Sequence, residues 1–127
     1  MSSKLIKRLK ALEPAGSYFY MATPYSKYEQ GIHVAFLHAC QAAAWLVRHG
    51  VPAYSPIAHM HPIALHGEMD PLDHDIWLPA DRPMMDAAGG LLIVRMPGWS
   101  SSYGIQIEAD VFAAAGKPVE YLPWPLP

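Results

Sequence analysis

The run Leu91-Leu92-Ile93-Val94 constrains this chain more than any other stretch. Four consecutive branched apolar residues, with Gly89-Gly90 before them and Pro97-Gly98 after, fit a strand covered on both faces, as parallel sheets require. A turn-rich stretch follows from Met96 to Gly104, then a helical pattern from Ile105 to Ala115 that Gly116-Lys117-Pro118 stops. A second β-like run, Val119-Glu120-Tyr121-Leu122, comes next. Strand, loop, helix, strand is half of a parallel α/β sheet. Ligands in such sheets sit past the carboxyl ends of the strands, where a loop leads into a helix. Here that loop carries Ser100, Ser101, Ser102 and Gly104 at the helix start, with Glu108 about one turn inside. Backbone N–H groups at such a start attract the oxygens of a ligand.

The remaining segments extend the pattern. Residues 3–12 predict a short helix, closed by Glu13-Pro14-Ala15-Gly16. Tyr18–Ala22 predicts the first strand, ending in the turn Thr23-Pro24-Tyr25-Ser26. From Glu29 to Arg48, Ile32, Phe36, Ala39, Cys40, Ala43, Leu46 and Val47 recur at spacings of one helix face. Val51–Tyr54 predicts a second strand. Residues 55–80 predict an irregular, ordered lid, because Pro56, Pro62, Pro71 and Pro79 punctuate them. A helix over Asp81–Ala88 then leads into Leu91–Val94, and the terminal Leu122–Pro127 excludes helix and inner strand, leaving Trp124 to cover a surface. The expected fold is α/β in one domain over 1–127: a small doubly wound parallel sheet, a flavodoxin-like or Rossmann-like three-layer sandwich. Right-handed crossovers bring the loops after Tyr20, Tyr54 and Val94 to one sheet edge.

Composition removes several classes of function. With 127 residues, a net charge of −2 and a pI near 6.3, the only basic group is Lys4, Lys7, Arg8 and Lys10 on the first helix, so a nucleic-acid partner is not expected. The single Cys40 excludes an internal disulfide and suits a reducing compartment. No signal peptide and no apolar run near ~18 residues is present, so a cytoplasmic protein with no membrane partner is expected. His59, His61, His66 and His74 share one region with Asp70, Asp73 and Asp75, the donor types of a hydrolytic metal site. Prolines interrupt that group and no helix carries a His pair four apart, so neither a metal nor a cofactor is expected.

The residues of the loops carry a resemblance. Tyr20-Met21-Ala22-Thr23-Pro24-Tyr25 resembles the N-terminal signature of the nucleoside 2-deoxyribosyltransferase superfamily. Ser102-x-Gly104-x-x-x-Glu108-x-x-x-Phe112-Ala113-x-Ala115-Gly116-Lys117-Pro118-Val119 resembles its nucleophile helix. The Ser-x-Gly-x-x-x-Glu form is closer to the 2′-deoxynucleoside 5′-phosphate N-hydrolase branch than to the free-nucleoside transferases, which usually carry Asp where Ser102 stands. Small uncharacterised bacterial members that share Pro97-Gly98-Trp99 are closer still. The resemblance covers residues 17–122. It implies cleavage or transfer at the N-glycosidic bond of a (deoxy)nucleoside or nucleoside 5′-phosphate, in a homo-oligomer that completes its pockets across subunits. Glu108 then matches the carboxylate at the anomeric carbon, Ser102 the 5′-phosphate ligand, and Tyr20 the hydroxyl that positions the carboxylate. Asp81, or Asp86 as second candidate, matches the acid near the leaving base, and His59 a histidine of the second βα loop.

The chemistry of the residues is compatible with this and less specific. Paired carboxyls serve an oxocarbenium-like transition state, one at the anomeric carbon and one protonating the leaving group. Glu108 in the first turns of a helix is expected to be ionised by the macrodipole, which suits a nucleophile. Asp81 equally suits an N-cap ahead of Arg82-Pro83. Ser101 and Ser102 offer a cap or a phosphate contact; Thr23 and Gly104 lie in the same loops; Trp99 and Trp77 suit either base stacking or core. For an oligomer contact, Trp124, Met60, Met69 and Trp77 are the candidate surface. Two other readings use the same residues: a non-catalytic nucleotide-binding or sensing domain, and a metal-dependent hydrolase built on the histidines.

Overall fold

Side-chain alternation along the strands directs the sheet's apolar residues alternately to two cores. The computed structural model describes residues 2–12 and 17–127. Among them the order is α1 (Ser2–Leu12), β1 (Phe19–Ala22), α2 (Ile32–Arg48), β2 (Ala53–Tyr54), α3 (Pro56–His66), α4 (His74–Ala87), β3 (Gly90–Val94), α5 (Tyr103–Ala114) and β4 (Val119–Leu122). The strands form one parallel sheet in the order β2-β1-β3-β4. Tyr20 stands beside Tyr54 on one side and Leu91 on the other, and Leu91 beside Val119. This is the doubly wound, three-layer parallel sheet expected from the alternation of elements.

Phe19, Met21, Leu92, Val94 and Leu122 point to the first core, with Leu9 of α1, Ala35, Ala39, Ala42 and Leu46 of α2, and Met60 of α3. The three alanines keep the α2 backbone close to the sheet. Tyr20, Ala22, Leu91 and Ile93 point to the second core, with Met85 of α4 and Ile105 and Phe112 of α5. Helix α4 links the two: Trp77 near its start packs on the first core, and Met85 near its end belongs to the second. Asp81 lies between them. The chain reverses its winding between β1 and β3, the position at which open α/β sheets form a crevice.

The proline-punctuated lid is corrected by the structure. Residues 56–66 and 74–80 are helical. Pro56 occupies the first helical turn, where a missing N–H costs nothing, and the Ser55 hydroxyl accepts from the Ala58 N–H at 3.1 Å. Pro62, Pro79 and Pro83 are tolerated inside helices because Met60, His61 and Ala64 of α3 and Met85 of α4 bury against the rest of the fold. The N-cap of α4 is Asp73, whose side chain accepts from the Asp75 N–H at 3.1 Å, so the capping role considered for Asp81 is taken elsewhere. Met60 is 4% exposed and belongs to the core, not to an assembly surface. Trp124 packs on His38 of α2 with ring centroids 5.0 Å apart. The expected closure of α1 at Glu13–Gly16 lies outside the described residues, and Arg8 of α1 pairs with Glu120 of β4 at 2.6 Å.

Gly90 opens the central strand where a side chain has no room. A Cβ there would stand 3.0 Å from Phe19 Cε1 and 3.1 Å from the Pro118 carbonyl oxygen, which already accepts from the Leu91 N–H at 2.9 Å. Gly90→Ala is therefore expected to destabilise by about 1–3 kcal/mol. Urea unfolding should show a lower midpoint with an unchanged slope.

Candidate active site

The buried residues of α5 are Ile105, Glu108 and Phe112, spaced as one helix face. That spacing turns the Glu108 carboxyl inward, and the residue is only 8% exposed. It lines an open cavity of about 600 Å³ at the carboxyl edge of the sheet. Thr23, Tyr25 and Ser26 come from the segment after β1, Pro56, Ile57 and Met60 from α3, and Pro71 and Leu72 from the turn that follows. Helix α4 contributes His74, Trp77, Leu78 and Asp81, and α5 contributes Gly104 and Glu108 behind its N-cap Ser102. The lining therefore combines two carboxyls and four hydroxyls with apolar side chains from α3, α4 and the turn between them.

Burial dominates the electrostatics. Loss of solvent pushes the Glu108 carboxyl up to about 8, opposed by the nearby Tyr20 hydroxyl and reinforced by the charge of Asp81. Asp81 is pushed up to about 6 by burial, with Tyr20 acting in the opposite direction. The macrodipole expectation of an ionised Glu108 is thus corrected: desolvation outweighs the helix N-terminus, whose influence fades beyond the first turn. Tyr20 is fully buried and its pKa is raised by burial, then by the charges of Glu108 and Asp81. Its ring lies 5.8 Å from that of Tyr54 and 5.9 Å from that of Phe112. The hydroxyl stands near enough to bias both carboxyls, yet neither pair reaches standard hydrogen-bond geometry, and no described protein group pairs with it. The buried Thr23 hydroxyl is likewise unpaired. Two buried hydroxyls without described protein partners, near the buried Glu108 and the half-buried Asp81, are polar groups prepared for something other than packing.

A second cavity of about 440 Å³ adjoins the first and shares Tyr25, Ser26 and Ser102 with it. Lys27, Tyr28, Gly98, Ser101 and Tyr103 complete its wall. Gly98, at φ 83, turns the chain into the 3-10 turn Trp99–Ser101 ahead of α5. The Ser102 hydroxyl accepts from the Ile105 N–H at 3.4 Å and keeps its own proton free to donate. Ser101 donates to the Gly98 carbonyl at 3.3 Å. The first N–H groups of α5 and Lys27 make this cavity suited to an oxyanion, which the carboxyls of the first cavity would repel.

The structure thus brings Glu108, Asp81, Tyr20, Thr23, Ser102 and Gly104 together, with Ser101 next door. Asp86 is not among them; it pairs with Arg82 at 2.9 Å on an exposed face. His59 is exposed on α3 against Tyr54, ring centroids 5.8 Å apart, outside both linings. Trp99 is half-buried, edge-on to Tyr121 with ring centroids 5.7 Å apart and Arg95 over its ring, and lines neither cavity. The histidines diverge, and among the described residues no three His, Cys, Asp or Glu side chains converge as a metal site. Sequence reasoning missed Ser26, Ile57, Leu78 and His74 as lining residues; the helical spacing of His74, Trp77, Leu78 and Asp81 was the signal, hidden by Pro79.

Gly104 is informative because α5 does not need it. An added Cβ would meet nothing within 4 Å, and Ala is preferred over Gly in a helix by about 1 kcal/mol. Gly104→Ala is expected to stabilise the protein slightly while narrowing the cavity, read by melting temperature and by ligand affinity. The carboxyls make stability pH-dependent. Their folded pKa values lie above the unfolded ones, so the native state holds more protons and stability falls as pH rises, through 3.8 to about 6 for Asp81 and 4.5 to about 8 for Glu108. Glu108→Gln should therefore be more stable than wild type at pH 8, by roughly a few kcal/mol, with the gap closing toward pH 5. Urea titrations across that range measure it; a gap independent of pH would assign the effect to packing.

A family described as a domain of unknown function, DUF1937, matches residues 17–123, and the chain belongs to it. No curated protein matches the chain.

Proposed function

For this member of the DUF1937 family we propose N-glycosidic bond cleavage or transfer on a nucleoside or nucleoside 5′-phosphate. The observation that carries the reading is the buried Glu108 carboxyl and the half-buried Asp81 carboxyl in one cavity, with the Tyr20 hydroxyl near both. Burial leaves the pair sharing about one proton near neutrality, which is the requirement for one nucleophile and one acid. At rest burial keeps that proton on Glu108, the more strongly raised carboxyl; the proposed reaction requires substrate binding to move it to Asp81, so that ionised Glu108 attacks the anomeric carbon. The C–N bond breaks, its electron pair leaves with the base, and Asp81 protonates the departing nitrogen. Water then attacks the glycosyl ester, giving its proton to the Asp81 carboxylate and releasing Glu108; a second base in place of water gives transfer.

The division of charge supports a placement of substrate. Sugar and base fit the first cavity, the base against the apolar side chains of Ile57, Met60, Trp77 and Leu78. A 5′-phosphate fits the second, with Lys27, Ser101, Ser102 and the α5 N-terminus. We also propose a homo-oligomer. Leu65, Leu72, Ile76 and Tyr103 are 43–62% exposed, an apolar surface on the elements that line or flank the cavity. Light scattering at micromolar concentration checks this, and a monomer contradicts it.

The test is incubation with deoxynucleosides and their 5′-phosphates, with free base followed by chromatography. Glu108→Ala is expected to abolish release while retaining nucleotide binding. Asp81→Asn should lose about 10²–10⁴-fold, most with poor leaving bases. Ser102→Ala should weaken phosphorylated ligands roughly ten- to a hundredfold more than free nucleosides. Since turnover needs one proton on the pair, kcat/KM should be bell-shaped, with limbs near about 6 and about 8. Full turnover by Glu108→Ala would defeat the glycosidase reading; tight binding without base release by wild type would replace it with a sensing domain.

A further inference from the structure

Two tyrosines between β1 and α2 are each tied to a histidine of a neighbouring helix. The Tyr25 hydroxyl lies 2.6 Å from Nδ1 of His61 on α3, and the Tyr28 hydroxyl 2.8 Å from Nδ1 of His38 on α2. Both ring pairs are nearly perpendicular, at 79° and 82°, with centroids 5.7 Å apart. The tyrosines are also tied to each other's segment: the Tyr28 N–H donates to the Tyr25 carbonyl at 3.1 Å, and the Gly31 N–H to that of Tyr28 at 2.9 Å. Both are buried although the segment is neither helix nor strand. Tyr25 lines both cavities and so stands in the wall between them.

His61 lines neither cavity. It is 7% exposed, stacked on Phe36 of α2 at 4.6 Å, with His33 5.7 Å away. Packing alone does not call for this pair. A Phe–Leu contact would fill similar space without desolvating a hydroxyl and an imidazole, whose hydrogen bond returns only about 1 kcal/mol net. What the hydrogen bond adds is direction: it fixes where the Tyr25 ring stands along the wall.

We propose that His61 is a positioning residue that acts through Tyr25, holding the wall between the two cavities in place, with the Tyr28–His38 pair as the second anchor of the same segment. Only the enzymatic readout of this inference rests on the glycosidase reading; the anchoring itself is readable without substrate. A ligand spanning both cavities passes this wall, so a wall that shifts weakens binding of the whole ligand more than it alters the carboxyl chemistry beyond it.

The test compares Tyr25→Phe, which removes one oxygen, with His61→Leu and His61→Asn, the last placing an amide near the position of Nδ1. Amide exchange at Tyr28 and Gly31 should quicken about five- to tenfold in Tyr25→Phe and His61→Leu and return toward wild type in His61→Asn. The double variant Tyr25→Phe/His61→Leu should be no worse than either single change, as for one shared interaction. In imidazole nitrogen spectra, Tyr25→Phe should move the Nδ1 resonance of His61. With a deoxynucleoside 5′-phosphate as probe, KM should rise severalfold in His61→Leu, a change outside both cavities, while kcat changes less than twofold. Unchanged exchange in Tyr25→Phe overturns the anchoring, and so does a folded His61→Asn that behaves like His61→Leu. Faster exchange with an unchanged KM overturns the positioning role. A wild type that releases no base removes the glycosidase reading, and the exchange and nitrogen spectra then decide the anchoring without it.

Discussion

Keeping the Glu108 carboxyl out of water, beside the half-buried Asp81, is the condition on which the rest of this structure depends. An isolated buried carboxylate is costly, and two of them cannot both ionise cheaply at close range. The fold meets the condition by supporting a shared proton. Tyr20 rises from β1 between Tyr54 and Phe112, so its hydroxyl is held beside Glu108 and Asp81 by rings on both sides. Glu108 is directed inward by the helical face it shares with Ile105 and Phe112. Asp81 arrives from a different layer, on the helix that passes from one core to the other. None of these groups would be in place without the parallel sheet, whose need for cover on both faces recruits α4 and α5.

The same arrangement separates charge along the sheet edge. Carboxyls occupy the first cavity; a lysine, serine hydroxyls and the α5 N-terminus surround the second. In the proposed reading an anionic group would be disfavoured in the first and favoured in the second, so a ligand with a neutral body and an anionic end would be oriented before any chemistry began. The partition rests on Tyr25, Ser26 and Ser102, which both cavities share. Its stiffness matters because the distance between the two ends of such a ligand is covalently set.

Much of this was legible from residue pattern. Leu91–Val94 and Val119–Leu122 announced parallel strands, and Ser102 through Glu108 announced a helix start with a carboxylate inside it. The third contributor, α4, was legible only in its second half, as a helix over Asp81–Ala88. Pro71, Pro79 and Pro83 read as breaks because local propensity disfavours proline in helices, whereas burial of Met85 and the Asp73 cap sustain one. His59 and Trp99 looked like site residues from their place in the loops, but a helical rotation turns His59 outward and the 3-10 turn carries Trp99 onto Tyr121.

Local sequence therefore decided the strands, the helices α2 and α5, the two-faced burial of the sheet and the inward turn of Glu108, since each follows from side-chain periodicity along one segment. Tertiary structure alone decided the protonation of Glu108, because desolvation is a property of everything packed around a group and the helix end is a local influence. It also decided between Asp81 and Asp86. Both precede β3 on the same helix, and only the crossing of α4 over the sheet edge distinguishes the carboxyl that lines the cavity from the one that pairs with Arg82 on an exposed face.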